Sequence, residues 1–462
     1  MRNLTLLILA AGKGTRLKST LPKVLHQLAG KPLIEHVVEA ARPLNPSATC
    51  VVVGYEAAQV QSALSGLPLQ FVVQEPQLGT GHALQVAREF WKAHKGDLLV
   101  LSGDVPLIST HTLRRLLDEH TQSTPSATLL SSELENATGY GRVVRGPKGD
   151  VEAIVEHRDA TEQQRRVAEI NTGVYCFDIN DLAQVIDKLS AKNAQQEYYL
   201  TDCIGLLRRQ GKHVRAVICE DPVEVTGINS RSELAEVERV VRNRKLKQLM
   251  EDGVTIIDPS STYVEPNVQI GPDTVLYPNV FLEKDTVIGA GCRIYPNVRM
   301  RASTIEDGVV VLDSCLITES HVRTKSQIGP FAHLKNHTVI GTQARVGNFV
   351  EIKNSRLGTK TKAAHLSYLG DSEIGQEVNV GAGTITCNYD GVSKNKTIIE
   401  DGVFVGSDSQ LIAPVTVHRG AYIAAGSTIH EDVPEDALAI ARSQQVNKEQ
   451  WARKKRESRR KE

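Results

Sequence analysis

Two rhythms of apolar residues divide the chain. In the first half, short apolar runs alternate with amphipathic stretches. Leu4–Ala10 reads as a buried strand, Pro32 opens a helix with the stripe Leu33, Ile34, Val37, Val38 and Ala41, and 49–53 is the next strand. The alternation continues through 57–64, 71–74, 80–91, 98–102, 151–156 and a strand beginning at Asn171. Strands interleaved with helices predict a Rossmann-like α/β domain with a mostly parallel sheet. Its ligands should lie beyond the carboxyl ends of the strands. From 232 to 249 the pattern becomes a charged helix with Leu234, Val237, Val240 and Val241 on one side, which reads as a connector.

Beyond Asp252 the period becomes six. Val264, Ile270, Leu276, Leu282, Ile288 and Ile294 recur at that spacing, as do Ile328, Leu334, Ile340, Val346 and Ile352, and then Ile399, Val405, Leu411, Val417, Ile423 and Ile429. A hexapeptide repeat gives one short strand and a turn per unit, and only stacked coils bury the shared aliphatic core. The period predicts a parallel β-helix with three faces to a coil. The expected domains are 1–230, a linker helix over 231–252, and 253–462.

Composition narrows the function classes. A chain of 462 residues with 40% hydrophobic residues is long enough for two or more domains with cores of their own. Lys plus Arg and Asp plus Glu stand at 54 each, so no global basic field points to nucleic acid as a partner. The 7 cysteines are scattered and form no C-x-x-C pair, which fits reduced thiols and a cytoplasmic protein. The apolar run at Leu4–Ala10 is too short to cross a bilayer, so no membrane insertion is expected. The basic stretch over 448–462 reads as a solvated tail or an added phosphate contact.

The chemistry-bearing residues fall where those patterns end. Gly12-Lys13-Gly14-Thr15-Arg16 follows the first strand, and small residues there expose backbone N–H groups beside two cations, as a phosphate loop does. Lys23 adds a further charge. The plain alternative is an ordinary glycine turn. Asp104 ends the strand LLVL through Ser102-Gly103, a position suited to magnesium, which takes one or two protein oxygens and leaves the rest to phosphate and water. The plain alternative for Asp104 is a turn cap before Pro106. In the repeat, Ala363-Ala364-His365-Leu366-Ser367-Tyr368 breaks the aliphatic spacing. It does so amid Glu351, Lys353, Asn379, Asn388, Tyr389 and Lys394, which makes His365 a candidate base.

The wording LAAGKGTRLKSTLPK from Leu9, with Gln74, LGTGHA, GDVPLI, TGYGR, LSYLGD and GAGTITCNYDG, resembles one family. That family is the bacterial bifunctional N-acetylglucosamine-1-phosphate uridylyltransferases and glucosamine-1-phosphate acetyltransferases. The resemblance implies a left-handed β-helix, a homotrimer, magnesium, and acetyl-coenzyme A as acetyl donor. The implied substrates are UTP, glucosamine-1-phosphate and N-acetylglucosamine-1-phosphate. It implies that Leu9, Ala10, Ala11, Gly12, Lys23, Gln74, Gly79, Thr80, Ser102, Gly103 and Asp104 hold the nucleotide sugar, with Gln74 and Gly79-Thr80 on uracil. Gly141, Glu156 and Asn171 fall on its sugar, and Asn229 is implied as the second magnesium ligand beside Asp104. Arg16 and Lys23 fall on the reacting phosphates. In the second half it implies that His365 deprotonates the amine and that Lys335, Lys353, Tyr368, Asn379 and Lys394 hold the sugar phosphate. Ala382, Asn388, Tyr389, Ser407, Ala425 and Arg442 then line the acetyl-coenzyme A cleft. One departure stands out: His333-Leu334-Lys335 occupies the place of the family's Arg-x-Arg, so a single ammonium replaces a bidentate clamp. Two rivals remain: a single-activity pyrophosphorylase with a structural β-helix, and a non-catalytic regulatory homologue.

Overall fold

A computed structural model of the chain describes residues 3–459. Two compact units divide between 240 and 241, each built on one of the two rhythms. The first runs β1 (Leu4–Ala10), α1 (Leu33–Ala41), β2 (Ala48–Val53), α2 (Ala57–Ala63), β3 (Gln70–Val73), α3 (Thr80–Val86), α4 (Arg88–Lys92) and β4 (Asp97–Ser102). It continues with α5 (Thr110–Ser123), β5 (Ala127–Glu133), β6 (Arg142–Arg145), β7 (Val151–Val155), β8 (Glu169–Asp178), α6 (Ile179–Val185), α7 (Asp202–Arg209) and β9 (Val214–Ile218).

The main path of the sheet is β9-β5-β8-β4-β1-β2-β3. β1 is parallel to β2 and β4, while β8 is antiparallel to both β4 and β5. The reversed strand was not visible in the alternation. It follows the β6–β7 hairpin, and β6 pairs with β8 as well. Successive residues of β1 go to opposite faces: Leu7 packs with Val52, Val100 and Trp91, and Leu6 and Ile8 pack with Val51, Leu99 and Val37. Both faces are covered, which is why this strand reads as an unbroken apolar run. The helix expected over 80–91 is interrupted at Ala87, where ψ is 4°. The strand expected from Asn171 starts at Glu169 and carries a bulge between Asn171 and Tyr175. β7 stops at Val155, which leaves Glu156 just past its end.

The boundary between the units falls inside α8 (Arg231–Glu251). Of the stripe expected on it only Val237 is fully buried, and Leu246 and Leu249 join the core of the second unit beside Val254. Beyond it lies a parallel β-helix. Val275 pairs with Arg293, Phe281 with Arg299 and Val287 with Thr304, so three columns of short strands make three faces. The six-residue aliphatic positions form its continuous core, with Ile270 partly buried at the first coil. Two longer strands, β10 (Arg345–Lys353) and β11 (Lys362–Gly370), turn the corner between the first two faces. The last helix is α9 (Trp451–Arg459). Arg460 and Lys461, part of the basic tail, lie outside the described residues. Among the described residues no helix is long and apolar enough to cross a membrane.

Candidate functional site

In the first unit the parallel register sets Leu9 beside Ser102, so the loops after β1 and β4 leave the sheet together. The Gly103 N–H donates to the Leu9 carbonyl at 2.9 Å and locks that junction. Gly14 follows in the left-handed region at φ 65°, and a Cβ there would lie 2.6 Å from Lys23 Cβ. Its lack of a side chain lets the Lys23 stem close over the loop.

Lys23 Nζ donates to the Asp104 carboxylate and, at 2.7 Å, to Asn229 Oδ1. Three segments distant in sequence thus meet at one cation, with Lys23 and Asp104 largely buried. Two oxygens converging on one positive charge suit magnesium, which asks for few protein oxygens. Among the described residues no group of three or more His, Cys, Asp or Glu is placed to hold a metal. Asn229 is fixed by Glu233, whose Oε2 accepts the N–H groups of Asn229 at 2.6 Å and Ser230 at 3.0 Å. Ser230 Oγ accepts the Glu233 N–H at 3.2 Å in return, a reciprocal cap at the start of α8.

A cleft of about 390 Å³ opens above this point, lined by Leu9, Ala10, Ala11, Gly12, Lys23, Gln74, Gly79, Thr80, Ser102 and Asp104. Gln74 is buried, its amide donating to the Gly79 carbonyl at 2.9 Å and meeting His82 Nδ1 at 3.2 Å. Gly79, at φ 104°, caps α3 where a Cβ would meet the Tyr198 carbonyl at 2.7 Å. Arg16 is exposed on the short turn Thr15–Leu17. Glu156 lines a second cavity of about 340 Å³, with Asp159, Tyr199, Thr201 and Asp202. Gly141 and Asn171 stand against it: the Asn171 N–H donates to the Gly141 carbonyl at 2.9 Å, and a Cβ on Gly141 would be 3.6 Å from Glu156 Oε1. Burial pushes the Glu156 carboxyl up, and Asp202, Asp159 and Glu197 push the same way against a hydrogen bond from Thr201.

Sequence reasoning missed neighbours of this site. Tyr140 has its hydroxyl raised by burial and then by Glu233 and Asp104, with Arg16 acting against them. TGYGR drew attention to its glycines and hid the tyrosine between them. Glu197 and Gln77 also line the cleft and lie in stretches without periodicity.

In the second unit His365 sits where β11 turns the corner, exposed, with Nδ1 2.8 Å from Asn348 Oδ1. Asn348 is its register partner one coil earlier, 17 residues back. That coil spacing was the signal that would have found it. The same corner continues coil by coil: the Gly383 N–H donates to the Leu366 carbonyl, Asp408 to Ala382 and Gly426 to Ser407. Ala382, Ser407 and Ala425 therefore share one edge with His365, and Arg442 Cδ lies 4.0 Å from where a Gly426 Cβ would be.

The adjoining face carries Lys335 beside Lys353, and His333, Glu351 and Tyr368 in a row. Lys335 Nζ is 2.7 Å from Glu351 Oε1, so its ammonium is held on the site by a carboxylate. Burial and then Lys335 lower the His333 imidazole below its usual range, with Glu351 opposing. Asn379 pairs with Lys362 on the first face, and Asn388, Tyr389 and Lys394 lie past the far end of the second. Within one chain the structure gathers His365 with Ala382, Ser407, Ala425 and Arg442. It does not bring Asn388, Tyr389 or Lys394 to that edge.

A model of the MobA-like NTP transferase domain matches residues 6–253, one of the GMPPB C-terminal domain matches 258–356, and one of the bacterial transferase hexapeptide (six repeats) matches 396–431. The bifunctional protein GlmU of Shouchella clausii is 47% identical over 97% of this chain and 98% of its own. That of Trichlorobacter lovleyi is 47% identical over 98% of each chain, and that of Trichormus variabilis 48% over 98% of this chain and 99% of its own. An α/β nucleotidyltransferase unit and a hexapeptide β-helix in one chain, matched end to end by these relatives, place the chain in the family of bifunctional GlmU proteins.

Proposed function

We propose that this chain makes UDP-N-acetylglucosamine in two steps, one in each unit, and acts in the cytoplasm. In the β-helix the amine of glucosamine-1-phosphate attacks the thioester carbonyl of acetyl-coenzyme A. His365 takes the amine proton on Nε2 while Asn348 holds Nδ1–H, and coenzyme A leaves as the thiol. Lys335, Lys353 and Tyr368 hold the sugar phosphate on the adjoining face. Ala382, Ser407, Ala425 and Arg442 give an extended cofactor an edge to lie along. Asn379, Asn388, Tyr389 and Lys394 join this site in a homotrimer, where the corner of one β-helix meets another.

In the α/β unit a phosphate oxygen of N-acetylglucosamine-1-phosphate attacks the α-phosphorus of UTP, and pyrophosphate leaves. No covalent nucleophile on the protein is needed. Gln74, Gly79 and Thr80 hold the uracil, Gly141, Glu156 and Asn171 the sugar, and Gly12, Arg16 and Lys23 the phosphates. Asp104 and Asn229 would hold magnesium, which would supply charge neutralisation at the reacting phosphates.

The observation that carries this reading is the meeting of Lys23, Asp104 and Asn229 at the ends of β1 and β4 beside the glycine loop. Incubation with glucosamine-1-phosphate, acetyl-coenzyme A, UTP and magnesium should give UDP-N-acetylglucosamine by mass spectrometry. Omitting acetyl-coenzyme A should abolish it. A UDP-sugar formed equally well without the acetyl donor would refute the two-step reading.

A further inference from the structure

A carboxylate that no step above uses lies under the loop that carries Tyr389 and Lys394. Asp371 follows β11 directly, has φ 49° and is 9% exposed. Its Oδ1 accepts from Asn354 Nδ2 at 2.5 Å and its Oδ2 from Asn388 Nδ2, each partner being 17 residues away, one coil below and one coil above. Both donors are neutral amides. A buried carboxylate is a costly group unless its hydrogen bonds are needed, and a charged acceptor grips an amide more firmly than a neutral one does. Purely structural polar stacking is already present next door, where Ser372 Oγ meets Ser355 Oγ at 3.0 Å.

The upper partner is where the coil departs from its regular length. Glu373 pairs with Ile398, 25 residues on, because the chain makes an excursion between Asn388 and Lys396. The excursion is a small hairpin with Tyr389 bridged to Lys394 and the Asn395 N–H donating to the Asn388 carbonyl at 2.8 Å. Its tip closes on Asp390, which accepts from the N–H groups of Val392 at 2.8 Å and Ser393 at 2.7 Å. Its base is held by Asp371 twice: through the Asn388 side chain, and through the Asp371 carbonyl, which accepts the Thr397 N–H at 3.3 Å. The Asn388 amide is thus committed inward, while Tyr389, 61% exposed, faces outward with the rest of the hairpin tip.

We propose that Asp371 is a positioning residue for acetyl transfer: through Asn388 it fixes the hairpin that presents Tyr389 and Lys394 to the substrates. This rests on the acetyltransferase reading, and two readouts on the full chain separate them. In kinetics, Asp371→Ala raises KM for acetyl-coenzyme A and glucosamine-1-phosphate about tenfold, the scale of one charge-assisted hydrogen bond, while kcat changes less. Asp371→Asn, which keeps one acceptor for Asn388, falls between, and pyrophosphate release in the other unit is unchanged. Asn354→Ala, which removes the lower partner only, leaves both KM values near the original.

In hydrogen exchange, Asp371→Ala speeds the amides of 388–396 and Asn354→Ala does not. Faster exchange without any thiol release by the unmodified chain would sink the acetyltransferase reading and leave Asp371 only as the group that holds the hairpin. Unchanged exchange and KM in Asp371→Ala, or equal effects of Asp371→Ala and Asn354→Ala, would overturn the proposal.

Discussion

Removing Asn348 isolates what orientation contributes to the base. The side chain touches His365 Nδ1 through one hydrogen bond of 2.8 Å. With its oxygen as acceptor, that bond keeps the proton on Nδ1 and leaves Nε2 free to take one from the amine. One neutral hydrogen bond is worth about 0.5–1.5 kcal/mol net, so Asn348→Ala should slow acetyl transfer by about two- to thirteenfold. The lower end is expected, because His365 is exposed in the single chain and water can replace the amide. Asn348→Asp sharpens the test. A carboxylate at that place favours the imidazolium, which cannot accept a proton, so the acid limb of the kcat/KM profile should move to higher pH. Activity should then fall at low pH and recover as pH rises. The assay is thiol release against pH for the three proteins, with pyrophosphate release from N-acetylglucosamine-1-phosphate as control. A loss beyond about a hundredfold in Asn348→Ala would mean the amide touches substrate, since one such bond cannot supply it. A profile for Asn348→Asp that does not move would refute the orienting role.

Three further outcomes follow from the first unit and its metal. Gly14→Ala forces a side chain into the left-handed region at a cost of about 1–2 kcal/mol and against the Lys23 stem, so pyrophosphate release should drop at least about tenfold with thiol release intact. Glu156 has its pKa raised by burial, so the folded state loses stability as pH rises from the ordinary carboxylate value through that raised value, and above it the loss is complete. Glu156→Gln should therefore gain thermal stability relative to the original as pH rises from 4 to 7, while sugar KM in the uridylyl step increases; a stability difference that ignores pH would contradict this. Chelation of magnesium should stop pyrophosphate release and spare thiol release, measured side by side.

What was legible in the sequence was what repeats or what is fixed by a strand end. The six-residue recurrence of Leu276, Leu282, Ile288 and Ile294 predicted the β-helix because each such residue points into the shared core. The run Leu4–Ala10 predicted β1 because both faces of the sheet are covered. Asp104 was readable because the chain reaches it straight from β4. The reversed β8 was not readable, since a strand buried on both sides looks alike in either direction. Nor were the partners that arrive from afar: Glu233 beneath Asn229, Tyr140 near Asp104, and Asp371 beneath Asn388 act through contacts that carry no local pattern. The linker stripe misled for a related reason. Leu246 and Leu249 are not on that stripe, and only the β-helix core beside them explains their burial.

Two chemistries in two units of one chain can be separated by substitution. The most direct test assays Asp104→Ala and His365→Ala for both products, thiol from acetyl-coenzyme A with glucosamine-1-phosphate and pyrophosphate from UTP with N-acetylglucosamine-1-phosphate. Asp104→Ala should lose pyrophosphate release alone and His365→Ala thiol release alone. Pyrophosphate release by the unmodified chain with no thiol release under any condition would contradict it and leave the β-helix as a scaffold.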